Sequence, residues 1–311
     1  PVARRRARAP ARARGRAGLL GLAWVLLAGS AAVALAAPAR ADALDEVRRR
    51  GVLRVGVKAD MPAWGWRDPS SGRITGLEPD LAADLARRLR VRLELVGLET
   101  EAKVRAVQAG EVDLALATMA DTPERRAQVA LVLPHYYASG TGVLAHRQQG
   151  FRTWEDLRHR RVCTRRGSTF NRAVMVTHGV DLVALYSHTR ALAALRDGRC
   201  DALLFDDVGI RAMLQQPAWR QAYEMALPVR FDTGWAIALP RQAAGSPLEA
   251  AVSRAVVDWH RSGQLLALER RWDLPASAFA VRMNAQWQRR TAGGGWYCGE
   301  GLSPATPPDC L

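Results

Sequence analysis

The sequence predicts an α/β fold of two lobes, and three observations point to it. From Asp42 onward, apolar runs of strand length alternate with amphipathic runs of helix length, the pattern of mostly parallel sheets covered by helices. A polar break at Gln148-Gln149-Gly150 separates two such α/β sets. The closing helices, over residues 247–261 and then through Trp272, have apolar faces that need a sheet, and the first set supplies one. The chain therefore leaves its first lobe (residues 42–142), builds a second (143–235) and returns (236–275). Two crossings make a hinge, with the cleft between the lobes as the ligand site.

The elements follow in order. A helix over 43–50 stops at Gly51 and the strand 52–57 follows, then Met61, Trp64 and Trp66 and a turn through Asp68-Pro69-Ser70-Ser71-Gly72. Leu81, Leu85 and Leu89 share one face of the helix 79–89, which packs on a sheet. A strand over 91–98 and a helix over 101–109 lead to Gly110. Beyond it, 112–117 reads as a buried strand and Thr122-Pro123-Glu124-Arg125 as a helix start, with Thr122 as cap and Pro123 in the first turn. Free backbone N–H groups and the Arg125 guanidinium converge at that corner, which suits a carboxylate. In the second set, strands are expected over 142–145, 161–164, 181–187, 200–205 and 233–239, with helices opening after Gly167-Ser168-Thr169 and over 189–197 and 208–216. The Gly/Pro-rich tail from Ala276 is left unassigned.

The net charge of +15 is concentrated at one end. Residues 1–41 hold eight arginines and no acid; the remaining 37 basic residues face 30 acidic ones. That is a weak basis for a polyanion partner, and no nucleic acid is expected. The Arg-rich start, the apolar run 19–35 and Ala39-Arg40-Ala41 read as an export signal over residues 1–41, with a membrane anchor as the alternative. Export leads to an oxidising compartment, the periplasm, where disulfides persist. If the strands carrying Cys163 and Cys200 are neighbours they are placed to pair, and Cys298 and Cys310 can close a loop in the tail; unlinked thiols are the alternative for each pair. His135, His146, His178 and His188 have no metal or triad spacing, and neither cofactor nor metal is expected.

Five stretches in order, LRVGV with its aromatic-rich loop, ITGLEPDLAADLARRL, AGEVDLALATMADTPERR, RVCTRRGSTF and LRDGRCDALLFDD, resemble solute-binding protein family 3. These are the periplasmic proteins that serve polar amino-acid ABC transporters. The resemblance, from Leu53 to about Leu274, implies a type II periplasmic binding protein fold, a monomer closing over one amino acid, and a membrane permease as partner. It places Arg125 on the ligand carboxylate with help from Thr118, Ser168 and Thr169, Asp206 on the ammonium, and Trp64 and Met61 along the ligand. Trp64 and Trp66 read equally well as core, and Asp206 as a helix cap with Asp207 as the relevant acid.

The physical sense is independent of the family: a buried zwitterion needs both charges paired, and an Arg and an Asp on opposite lobes supply that. Three departures bear on the ligand: Ala120 where the family has a hydroxyl, Phe170 after the Ser-Thr turn, and Arg165-Arg166 at the cleft edge. Arg165 is expected to bias the pocket toward a polar or acidic side chain. Two other readings stand beside this one. Periplasmic cyclohexadienyl dehydratases resemble the same family but are expected to carry an acid just after the Gly-Thr turn, where this chain has Phe170 and Asn171. A cleft given over to partner binding is the other, favoured by the Trp- and Cys-bearing tail.

Overall fold

The structure, a computed structural model, describes residues 42–311; the export segment expected over 1–41 lies outside them. The chain runs through α1 (Ala43–Arg50), β1 (Val52–Val57), the short strands β2 (Asp60–Met61), β3 (Gly65–Arg67) and β4 (Ile74–Thr75), α2 (Leu77–Leu89), β5 (Arg92–Gly97), α3 (Lys103–Gln108), β6 (Leu114–Ala115) and α4 (Pro123–Arg126). The long strand β7 (Ala130–His146) follows, then β8 (Arg161–Arg165), α5 (Phe170–His178), β9 (Asp181–Leu185), α6 (His188–Arg196), β10 (Ala202–Asp206), α7 (Asp207–Met213), α8 (Pro217–Ala222) and β11 (Tyr223–Met225). The return strand β12 (Arg230–Leu239) leads to α9 (Pro247–Ser262), α10 (Gln264–Arg271) and α11 (Ala278–Gln288).

One sheet joins both halves, in the order β5-β1-β6-β12-β7-β10-β8-β9, with β11 along β7. Its two ends are parallel: β1 pairs with β5 and β6, and β8 with β9 and β10. The central pair, β12 and β7, runs antiparallel. The chain thus crosses outward along β7 and back along β12, the two expected crossings. This is the two-lobe type II periplasmic binding protein fold.

The sequence reading finds only residues 142–145 of β7, because Pro134 and the following His-Tyr-Tyr break the apolar run. Pairing with β12 passes from Val132–Ile237 to Tyr137–Trp235, so five steps along β7 match two along β12. Pro134 lies in that bulge, where a missing N–H costs no ladder bond. Trp64, Tyr137 and Trp235 meet beside it, Trp64 edge-on to Tyr137 at 4.5 Å and to Trp235 at 5.0 Å.

Helix α2 buries Leu77, Leu81, Leu85 and Leu89 as their spacing requires, and Asp84 on the same helix accepts from buried Trp259 Nε1 at 2.7 Å. The tail is ordered structure. Helix α11 packs on α9, Trp287 is fully buried, and the Arg261 guanidinium lies 4.6 Å from the Trp296 ring while donating to the Gly299 carbonyl at 2.7 Å. Both cysteine pairs are disulfides: Cys163 with Cys200 across β8 and the approach to β10, and Cys298 with Cys310 in the tail.

Two stability predictions follow from this packing. The 163–200 disulfide spans 37 residues of separation, so Cys163→Ala with Cys200→Ala should cost about 3–4 kcal/mol of unfolding free energy by chain entropy, read from urea denaturation. His260, buried on α9, donates from Nε2 to the His135 carbonyl at 2.7 Å, and burial lowers its pKa to about 4, with the His135 carbonyl opposing. An imidazole that must stay neutral leaves the unfolded chain binding more protons below its ordinary 6.5. Its contribution is therefore intact above pH 6.5 and lost as pH falls toward 4. Replacing it, as in His260→Gln, should flatten the loss of stability between pH 7 and 5 by up to about 2 kcal/mol.

Candidate functional site

Charged groups gather at the carboxyl ends of the parallel strands, where open α/β sheets bind their ligands. Lys58 follows β1, Thr118 follows β6, Arg165 ends β8 and Asp206 ends β10. The backbone at Thr118 is left-handed, with φ of 47°, and three groups hold it there. Its N–H donates to Glu78 Oε1 at 2.6 Å and lies 3.0 Å from the Tyr136 hydroxyl, which itself donates to Glu78 at 2.6 Å. The Lys103 ammonium donates to the Thr118 carbonyl at 3.2 Å and to its hydroxyl at 2.9 Å. That hydroxyl keeps its own proton free to donate.

Thr122 caps α4 as expected, its hydroxyl accepting from the Arg125 N–H at 3.3 Å. The guanidinium folds back to donate to the Ala120 carbonyl at 2.8 Å. Burial pushes it down from its ordinary pKa, the Asp206 carboxylate opposes that, and Arg165 adds to it. Arg125 therefore sits within electrostatic reach of the acid on the opposite half.

On that half, Arg165 is 3 % exposed. It donates to Asp206 Oδ2 at 2.9 Å, and its guanidinium lies 4.7 Å from the centre of the Phe205 ring. His188 stacks on Phe205 at 3.8 Å; its N–H, at the start of α6, donates to Asp60 Oδ2 at 3.1 Å. Asp60 in turn pairs with Lys58 Nζ at 2.6 Å. Burial alone would raise the Asp60 carboxyl, but Lys58 and then Arg165 hold it down at about 2. Burial, reinforced by Arg165, pushes His188 down to about 3, so it is neutral. The Asp60–His188 bond ties the first half of the chain to the second.

A cavity of about 150 Å³ lies where the halves meet, lined by Ala120, Thr122, Thr141, Thr169, Asp206 and Trp235 among others. Of the expected site residues Thr169 and Asp206 line it, opposite Ala120 and Thr122 of the loop before Arg125, while Arg125, Thr118, Ser168 and Arg165 are not among its lining residues. The Ser168 hydroxyl, on the residue before Thr169, is buried without a partner among the described residues. Asp207, the rival acid, is spent on the Ser139 hydroxyl at 2.8 Å and the Gly140 N–H at 2.9 Å. The two apolar candidates sit elsewhere. Trp64 is wholly buried in the aromatic cluster at the crossing strands and borders a 570 Å³ pocket there, while Met61 lines a separate 720 Å³ groove with Trp66, His188 and Phe205.

Sequence reading missed Lys58, Lys103, Asp60, Glu78 and Tyr136. One signal was present, since Lys58 directly follows an apolar strand, where a ligand crevice is expected. Lys103 sits on a short helix between apolar positions and gives no such signal.

A glutamine-binding protein of Geobacillus stearothermophilus is 28% identical over 180 residues, covering 56% of this chain and 68% of its own. The structure of the P235GK mutant of ArgBP from T. maritima is 27% identical, with a TM-score of 0.68, covering 74% of this chain and 99% of that one. The ancestral amino-acid-binding protein AncCDT-1, described as a precursor of cyclohexadienyl dehydratase, is 25% identical at a TM-score of 0.65, covering 74% and 98%. Other relatives are named as ABC transporter binding proteins for glutamine and arginine. Residues 53–275 match the family model for bacterial extracellular solute-binding proteins, family 3, and the chain belongs to that family.

Proposed function

We propose that this protein captures an amino acid in the periplasm by closing its two halves and delivers it to an ABC transporter permease. The observation that carries the reading is the cavity between the halves, lined by Ala120 and Thr122 of the loop that leads to Arg125 on one side and by Thr169 and Asp206 on the other. In this reading Arg125, the Thr118 hydroxyl, Ser168 and Thr169 bind the carboxylate, and Asp206 receives the ammonium on the oxygen that Arg165 leaves free. A zwitterion bridging both halves stabilises the closed form, which contains the Asp60–His188 contact. Arg165 borders the same charges and shapes the side-chain end.

Met61 and Trp64 then act at a distance: Trp64 props the crossing strands, and Met61 adjoins Asp60 on β2. The halves divide near residues 142 and 235, residues 1–41 direct export, and the protein works as a monomer. Binding without catalysis is favoured because Phe170 and Asn171 follow the Ser-Thr turn where an acid would be needed. Glu78, whose pKa burial raises to about 7 against the opposing Tyr136 bond, is fully buried behind Thr118 and holds that loop.

In a thermal-shift screen of the purified protein, at least one amino acid should raise the melting temperature by mass action. Arg125→Ala and Asp206→Asn should each weaken that ligand by about 2–5 kcal/mol while the unliganded protein stays folded. A shift that persists in both variants contradicts the assignment.

A further inference from the structure

The cleft holds more buried positive charge than a zwitterion neutralises. Lys58, Lys103 and Arg165 are all buried, and Arg125 is half-buried near them. Burial, and then the charges of Lys58, Arg165 and Arg125, push Lys103 well below its ordinary value with Glu78 opposing, a shift toward the neutral amine that an added negative charge in the cleft reverses. Three carboxyl groups stand against them. Asp60 is bound to Lys58 at 2.6 Å and Asp206 to Arg165 at 2.9 Å. The third, Glu78, is wholly buried, and burial raises it toward its neutral form. Glu99 acts on Lys58 from an exposed position, where water screens it. Lys103 and Glu78 cancel whether both are charged or both neutral, so Lys58, Arg165 and Arg125 face only Asp60 and Asp206, and one positive charge is left without a counterpart.

An amino acid with a neutral side chain brings one charge of each sign and leaves that excess in place. A cationic side chain enlarges it. A second carboxylate removes it. Arg165 also has donors to spare: Nη2 is spent on Asp206, while Nε and Nη1 are buried with no partner among the described residues. Buried donors of a charged group are costly to leave unmade, and the guanidinium fork suits a carboxylate.

We propose that the solute carries two carboxylates, one on Arg125 and a second on the free donors of Arg165, with Lys58 and Lys103 supplying the compensating charge. This rests on the ligand orientation proposed above and narrows it to an acidic amino acid. Lys58 and Lys103 are specificity-determining through charge; each ammonium already donates to the protein, Lys58 to the Leu98 carbonyl at 3.3 Å and the Thr100 hydroxyl at 3.2 Å, and Lys103 to Thr118.

The test is calorimetric titration of the purified full chain with L-glutamate, L-aspartate, L-glutamine, L-asparagine, L-arginine and glutarate. An acidic amino acid should bind at least about tenfold tighter than its amide, a difference of about 1.4 kcal/mol. Lys58→Met should cut the affinity for the acid by about tenfold or more and that for the amide by less than about threefold, while Lys103→Met, which also releases Thr118, should weaken both and the acid by at least about threefold more. Because the wild-type comparison needs no variant, a substitution that fails to fold does not blunt the test. An amide or arginine binding tighter than the acids overturns the second carboxylate while leaving amino-acid capture standing. Glutarate binding as tightly as glutamate upholds the second carboxylate and overturns the role given to Asp206. Failure of every amino acid to bind overturns the proposed function itself.

Discussion

Burying a charge is tolerable only when something nearby answers it, and that constraint organises the cleft of this protein. Arg165 lies under the surface because Asp206 takes one of its nitrogens and Phe205 lies beneath its guanidinium. Lys58 is fully buried because Asp60, the Leu98 carbonyl and Thr100 surround its ammonium. Lys103 has no carboxylate bonded to it. It is held by the carbonyl and hydroxyl of Thr118, whose own N–H is fixed by Glu78 and Tyr136.

These pairings stand on both halves of one sheet. The crossing strands β7 and β12 add no charge to this cluster; β7 contributes Tyr136, which holds Thr118, and Thr141, and β12 contributes Trp235, the last two lining the cavity. Asp60 then reaches the start of α6 in the other half, where backbone N–H groups favour an anion. That contact is a direct hydrogen bond between the two halves. The tail adds rigidity behind the first half through Trp287, Arg261 and its own disulfide, far in sequence from the strand ends.

Much of the fold was legible because its signals are local. The four-residue leucine spacing of α2, the Thr-Pro start of α4 and the glycine stop after α1 each report on their own helix. Strand β7 was not legible, since Pro134 reads as a break until the bulge in its pairing with β12 is known, and α11 was hidden by the glycines and prolines around it. The site divides the same way. Arg125, Thr169 and Asp206 stand at turns with recognisable chemistry, whereas Lys103 and Glu78 become meaningful only when packing places them on either side of Thr118. Trp64 shows the converse: an aromatic in a suggestive loop, placed by the fold in the cluster with Tyr137 and Trp235.

The most direct measurement is a crystal structure of the protein grown with the amino acid that binds it most tightly. The account requires the ligand to span the halves, its carboxylate within hydrogen-bond distance of the Arg125 guanidinium and its ammonium on Asp206. A ligand seated in the groove beside Met61, or bound to one half with Arg125 and Asp206 untouched, would contradict it.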